Sequence, residues 1–368
     1  MERMRLFISS LSTIKPSDIV WIQTAFLGDV ILNTGAFELA ARSFPGVRQH
    51  VITTGVGARV LDGLESVHSC LIFEKRKGNF FSASRRTASE LRLRLKDPSR
   101  AVILQPHRSI RSSLLSRYLG FRSATYFESN LGCLGGARVP RVGVFHEAVR
   151  AALPLELLGV SREAIVAVRP RLAAAKIDHS ISWQALLVKK KVESGYKLVG
   201  MAPGSQWGTK RWTVDGYAEL CRKIVASPEL SKCCIVLLGG PEEIALCEDI
   251  SSRVNLNERV VNLAGLTAID DLRVVFPLLD LLVGNDSSPV QFASAFNVPT
   301  VAIFGSTIPS MGFGPLAEGS QVVQLPLPCR PCSDHGPETC PLGHFKCMRE
   351  LGADRVLEVC RSILQSGS

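Results

Sequence analysis

The sequence predicts an α/β protein made of two doubly wound domains in tandem, each a parallel sheet with helices on both faces. Three observations predict it. The chain has 368 residues, more than one hydrophobic core ordinarily serves, so two domains are expected. Short apolar runs alternate with helical patterns in two separate series, the signature of parallel sheets. Between the series, from about Arg169 to Gly195, the pattern weakens into PRLAAAKIDHSIS and VKKKVESG. A linker and a polar helix there mark a domain boundary. The expected domains are 1–180 and 181–368.

In the first series, DIVWIQT (18–24) is a buried strand. A helical stretch runs from about Asp29 to Ser43 and stops at Pro45-Gly46. RQHVITT (48–54) is the next strand, VLDGLESV (60–67) a short helix, and SCLIFE (69–74) a strand. SRRTASELRLRLK (84–96) is a basic helix and AVILQPH (101–107) a strand. The second series opens with the strand YKLVGMAPG (196–204) and a helix near 214–226. The strand CCIVLLGG, a helix near 242–253, the short strand RVVNLAG and a helix near 269–278 follow. The strand DLLVGND, a helix from Pro289 and the strand PTVAIFGS continue it, and a Cys-rich segment and a terminal helix close the chain.

The hydrophobic fraction of 46% excludes wholesale disorder. No apolar run reaches the length of a bilayer span. MERMRLFISSLSTIKP has a short apolar piece and no clear cleavage site, so it does not read as a signal peptide, and the cytosol is expected. The formal charge of +10 is unevenly spread: residues 1–180 hold 26 Lys+Arg against 14 Asp+Glu, a net of +12. The first half therefore fits either an anionic partner or a solvated basic surface.

In open sheets, ligands bind beyond the carboxyl ends of the strands. Four loops there carry chemistry. TAFLGD holds one charge, Asp29, in apolar surroundings that are expected to raise its pKa toward that of a general base. An acidic helix start is the plain alternative. QPHRSIRSS carries His107, Arg108 and Arg111, whose arginines are forked donors for an anionic acceptor; a solvated loop is the plain alternative. APGSQWGTKRW carries Ser205, Gln206 and Lys210, a compact cation of the kind that binds phosphate. Its Trp207 and Trp212 either pack the loop or stack on a base. GNDSSP puts Asp286, Ser287 and Ser288 at a helix start, with Ser288 as N-cap and Pro289 as first helical residue. Free N–H groups there favour a diphosphate, and a Ser288 that merely caps the helix is the plain alternative. Past LLGGPEE, Glu242 is positioned either for ribose hydroxyls or as an acidic first turn. No G-x-G-x-x-G or Walker loop is present.

FLGDVILNTGAF, APGSQWGTKRW, LLGGPE and VGNDSSPVQFASAFNVPTVAIFG, in this order and spacing, resemble the ADP-heptose:lipopolysaccharide heptosyltransferases of glycosyltransferase family nine. The resemblance implies a GT-B fold, two Rossmann-like domains with the active site in the cleft between them. It implies transfer of heptose from ADP-heptose to the lipopolysaccharide inner core with inversion, and no catalytic metal. Asp29 matches the family's proposed base. Lys210 matches the lysine at the donor phosphate, with Ser205 and Gln206 nearby. Glu242 matches the ribose carboxylate, and Asp286 and Ser287 the D-[ST] pair at the donor diphosphate and sugar. The family often has D-[ST]-G-x-x-H where this chain has Ser288 and Gln291. The resemblance also implies a lipid A–inner-core acceptor and peripheral attachment to the cytoplasmic face of the inner membrane. FEKRKGNFFSASRR (73–86), with Phe80 and Phe81 among basic groups, either touches that interface or is an exposed loop with core-facing rings.

Eleven cysteines fall into two groups. Cys70, Cys133, Cys221, Cys233, Cys234, Cys247 and Cys360 read as small buried hydrophobes. Cys329, Cys332, Cys340 and Cys347 have spacing that allows a four-thiolate structural zinc, with His335 or His344 able to replace a thiolate. Disulfides or unligated thiols are the alternatives, and a redox C-x-x-C is not expected without its strand-turn-helix setting. A transferase of another nucleotide sugar and a non-catalytic nucleotide-sugar-binding protein stay open beside the leading reading. Nucleic-acid binding is not expected, because the basic residues form no reader motif.

Overall fold

Asp18–Ile22 (β1) is buried at every position, as a central strand covered on both faces must be. It opens a computed structural model that describes residues 11, 13–74, 79–129, 136–141, 143, 145–254 and 258–366. After β1 come α1 (Leu27–Ser43), β2 (Arg48–Thr53), α2 (Gly55–Val60), β3 (Ser69–Ile72) and α3 (Phe80–Arg94). Then follow β4 (Ala101–Leu104), α4 (Ile110–Leu119), β5 (Arg122–Tyr126), β6 (Ala137–Val139), α5 (Glu147–Ala152) and α6 (Arg162–Val166). The six strands form one parallel sheet in the order β3-β2-β1-β4-β5-β6.

The second series begins with α7 (Ser182–Val188), β7 (Lys197–Ala202), α8 (Val214–Ala226), β8 (Cys233–Leu237), α9 (Ile244–Arg253) and β9 (Val260–Asn262). It continues with α10 (Leu272–Leu278), β10 (Leu281–Asn285), α11 (Ser288–Ala295), β11 (Thr300–Ile303), β12 (Gln321–Val323), α12 (Lys346–Arg349) and α13 (Ala353–Ser366). Its parallel sheet runs β12-β11-β10-β7-β8-β9. Read from the first strand of each series, both sheets have the order 3-2-1-4-5-6. Each has a topological switch point between its first and fourth strands, where ligands bind in such folds.

The chain divides into compact units 1–173 and 174–368. Residues 174–181, expected at the end of the first domain or its linker, already bond within the second unit: the Ala175 N–H donates to Arg273 O at 3.1 Å. Upstream, Gly35 lets α1 approach the chain closely, since a Cβ there would stand 2.5 Å from Arg169 O. Thr34 Oγ1 accepts from the Arg171 N–H at 2.8 Å beside it.

Each unit has its own core. In the first, Val20, Ile22, Ile52 and Ile103 are covered by Ala83, Ala88 and Leu91 of α3 and Leu115 and Leu119 of α4. In the second, Met201, Ile235, Val283 and Ile303 pack with Trp212, Tyr217 and the Val356, Cys360 and Leu364 face of α13. Among the described residues no helix is long and apolar enough to cross a membrane.

Several elements differ from the sequence reading. The short helix expected over 60–67 lies at Gly55–Val60, because Thr54 Oγ1 accepts from the Gly57 N–H at 3.1 Å and starts it there. The basic helix begins four residues early, capped by Asn79 Oδ1 accepting from the Phe81 N–H at 2.9 Å. Strands β5, β6 and β12 and the helices α4, α5, α6 and α12 went unread. Cys133 and Lys75, Arg76 and Lys77 lie outside the described residues.

Candidate active site

The two switch points position the four loops singled out above. Strands β1 and β4 are hydrogen-bonded neighbours, so the Asp29 loop and the His107 loop leave the first sheet side by side. Strands β7 and β10 are likewise neighbours, bringing the Lys210 and Asp286 loops together in the second unit.

Asp29 is half-buried in the first turn of α1. It is not the helix cap: Phe26 holds that position and makes no side-chain capping bond. The turn is held from the strand side, where Gln23 Nε2 donates to Asp29 O at 3.4 Å and Gln23 Oε1 accepts from the Ala25 N–H at 3.3 Å. On the neighbouring loop, His107 Nε2 lies 3.3 Å from Ser112 Oγ, while Arg108 and Arg111 are exposed.

The second unit gathers the expected donor residues. Asp286 Oδ2 accepts from Lys210 Nζ at 2.7 Å and from Thr307 Oγ1 at 2.6 Å. Both members of the ion pair are largely buried. Beside them α11 begins at Ser288, one residue earlier than expected, so that Ser287 is the N-cap and Pro289 the second helical residue. The Ser287 hydroxyl is drawn to Gly204 O and Asn285 O, each 3.3 Å away.

Ser205 is buried, and its carbonyl accepts from Arg211 Nε at 2.7 Å, whereas Gln206 is exposed. Trp212 is a core residue, its Nε1 donating to Leu351 O at 3.0 Å. Glu242 is exposed at the end of β8, and its neighbour Glu243 is the tied carboxylate, accepting from the Gly240 N–H at 2.7 Å. Gly204 is open for that side chain: a Cβ there would meet Glu243 at 2.7 Å.

Asn285, Ser306 and Thr307 were missed. Buried Asn285 donates from Nδ2 to Pro203 O at 2.7 Å, and its Oδ1 accepts from the Trp212 N–H at 3.0 Å. It ties the end of β10 to both ends of the 203–212 loop. Thr307 and Ser306 come from FGST after β11, another loop at a strand's carboxyl end, which was the signal available. Gln291, at the position where the family often has histidine, is buried. Its Nε2 donates to Phe313 O at 3.0 Å and its Oε1 has no hydrogen-bond partner.

The Cys-rich segment is a strap over the Lys210 loop. The Thr209 N–H and hydroxyl both donate to Pro337 O. The Cys332 N–H donates to Ser306 O at 2.8 Å. Arg330 anchors its start, donating to the carbonyls of Leu325, Phe304 and Thr307 at 2.6, 3.0 and 2.6 Å. Cys329, Cys332, Cys340 and Cys347 are all free thiols. Among the described residues no group of three or more His, Cys, Asp or Glu is gathered to hold a metal ion. Burial alone would raise the Cys340 thiol, but the N–H groups of Phe345, Leu342, Gly343 and His344 outweigh it and hold the pKa below the usual value. Burial pushes Cys347 up to about 11.

These features define a two-unit α/β protein of the GT-B class, with Lys210, Asp286 and Thr307 gathered at the switch point of its second unit. The family model for glycosyltransferase family 9 (heptosyltransferase) matches residues 163–343. A lipooligosaccharide heptosyltransferase 2 of Campylobacter jejuni is 31% identical over 193 residues, 52% of this chain and 57% of that protein. The chain thus spans little more than half the length of this relative. Lipopolysaccharide heptosyltransferase 2 of Escherichia coli is 24% identical over 83% of this chain and 88% of its own. The solved structure of Escherichia coli ADP-heptose lps heptosyltransferase II superposes with a TM-score of 0.72 at 19% identity, covering 95% of this chain and 100% of that one. The resemblance read from the motifs is therefore found both in sequence and in fold, and it runs to the heptosyltransferases of type 2.

Proposed function

We propose that the protein is an inverting glycosyltransferase that moves heptose from ADP-heptose to the lipopolysaccharide inner core. The observation that carries the reading is the Lys210–Asp286–Thr307 cluster beside the start of α11, inside the stretch that the family model matches. In the proposed step Asp29 takes the proton of an acceptor hydroxyl as its oxygen bonds to the anomeric carbon. The bond from that carbon to the diphosphate breaks, and its electron pair leaves with ADP. Lys210 and the N–H groups around Ser287 and Ser288 stabilise the growing charge, the work a metal does at other diphosphate sites. Exposed Glu242 is assigned to the ribose, and His107, Arg108 and Arg111 to the anionic acceptor. Because the acceptor is a glycolipid, the proposal includes peripheral attachment to the cytoplasmic face of the inner membrane.

The test is ADP release from ADP-heptose with a deacylated, heptose-deficient core oligosaccharide. Turnover is expected, with Asp29→Asn lowering it by about a hundredfold or more at near-normal ADP binding. Full rate in the variant removes Asp29 as base. Donor binding without turnover favours a binding protein, and release from another nucleotide sugar alone changes the donor.

A structural zinc at Cys329, Cys332, Cys340 and Cys347 is proposed on their spacing alone, and it requires the four thiols to draw closer than they stand here. Elemental analysis of protein purified without chelator is expected to give about one zinc per chain. None, with all four thiols titratable, refutes it.

A further inference from the structure

Gln23 holds the backbone of the Asp29 turn, with Nε2 on Asp29 O and Oε1 on the Ala25 N–H. The buried polar residue one turn further along α1 has no such employment. Asn33 is 0% exposed, and neither Nδ2 nor Oδ1 of its amide has a hydrogen-bond partner. Around it α1 follows the ordinary rule. Its buried neighbours Val30, Ile31, Leu32 and Phe37 are apolar. The buried hydroxyl of Thr34 is satisfied, donating to Ile31 O at 2.7 Å and accepting from the Arg171 N–H at 2.8 Å. An amide shut away with both ends unsatisfied is destabilising, and a leucine of similar shape fills such a place without that penalty. An exception of this kind inside a native core calls for a role.

Position says which role. Asn33 follows Asp29 by four residues, so the two share one face of α1. Helical side chains lean toward the N-terminus, which carries the Asn33 amide back over the turn that bears Asp29. A carboxylate only accepts, and Nδ2 is a donor, so the two groups are chemically matched. Buried waters typically join about three polar groups that otherwise lack partners. Thr24 Oγ1, buried and unpartnered in the same loop, is a third such atom, and Thr24 and Asn33 bracket Asp29 in the chain. We propose that Asn33 is the positioning residue of Asp29: through one buried water, which Thr24 Oγ1 also meets, Nδ2 fixes the rotamer in which the carboxylate faces the acceptor hydroxyl. Gln23 then sets the backbone of the base and Asn33 its side chain. The inference rests on the reading of Asp29 as the base.

The test begins with Asn33→Leu, which keeps the volume and removes both polar ends. The urea midpoint is expected to stay or rise, and KM for ADP-heptose to stay near its original value. The value of kcat is expected to fall by about ten- to a hundredfold, the cost of a misaimed group. Asn33→Ser keeps a hydroxyl donor and is expected to lose less. In the Asp29→Asn background Asn33→Leu is expected to lower kcat no further, because the group it positions is gone. Full kcat in Asn33→Leu, or an undiminished loss beside Asp29→Asn, overturns the proposal. So does a fall in the urea midpoint of both variants that tracks the loss of rate, which makes the amide structural. A high-resolution crystal structure of the free protein needs no turnover. It is expected to show an ordered water between Asn33 Nδ2 and the Asp29 carboxylate, and an amide that meets no such water overturns the inference. A protein that holds this water but turns over no nucleotide sugar defeats the transferase reading alone.

Discussion

At the residue scale, two buried carboxylates show how position divides labour. Asp286 stands at a carboxyl edge and shares one oxygen between Lys210 and Thr307. In the proposed reaction an incoming diphosphate would find the lysine already placed, so little ordering would remain to be done on binding. Asp18 stands at the opposite, amino end of β1 and is structural. It accepts from Ser17 Oγ at 2.7 Å and from the Lys96 and Asp97 N–H groups at 3.1 Å, and faces His50 Nε2 at 3.2 Å. Burial raises the Asp18 pKa, but these bonds outweigh it and leave it below 3.8. Burial holds His50 below its ordinary 6.5 despite Asp18. A histidine depressed in the folded state binds its proton more readily when unfolded, so stability falls as pH drops through 6.5. Asp18 adds a second loss only below 3.8. His50→Gln is therefore expected to flatten the fall in urea midpoint between about pH 7 and pH 5. An unchanged slope in that variant assigns the dependence elsewhere.

At the element scale, the site was legible wherever a strand's carboxyl end met a loop of chemical residues. Asp29, Lys210 and Asp286 were found this way because apolar strands such as DLLVGND announce where they stop. What remained unread depends on contacts distant in sequence. RSATY (β5) is too polar to read as a buried strand, yet four of its five residues are buried because β4 and β6 flank it. Asn285 looked like loop composition and is a tie between two strands. Glu243 rather than Glu242 is the pinned carboxylate, which adjacent identical residues cannot reveal. The strap could be read as a cysteine pattern, but not as a cover for the Lys210 loop. Gly336 carries that contact with φ +80°, and a Cβ there would stand 2.7 Å from Ser306 Oγ. Gly336→Ala is expected to cost about 1 kcal/mol of stability or more and to lift the strap from Thr209 and Lys210. ADP affinity, read by calorimetry, should fall by about tenfold, equivalent to about 1.4 kcal/mol. Unchanged affinity in a folded variant separates the strap from the donor site.

At the scale of the whole molecule, the chain uses one topology twice with unequal charge. Both sheets run 3-2-1-4-5-6, but the first unit is strongly basic and the second nearly neutral. Each has its own buried cluster, and the proposed donor residues Ser205 to Ser288 all lie within 174–368. A ligand stabilises only what its binding orders, by RT ln(1 + [L]/Kd). ADP at one hundred times its dissociation constant should add about 2.7 kcal/mol. For a unit of this length that corresponds to about 5–10 °C in its unfolding temperature. Scanning calorimetry is therefore expected to show two transitions, of which ADP raises one. Lys210→Gln, which removes the phosphate-facing cation and leaves Asp286 unpaired, should lower that transition without ADP and abolish most of its shift. Two transitions that ADP raises equally, or one transition that moves as a whole, would mean that the donor site is not the property of the second unit alone.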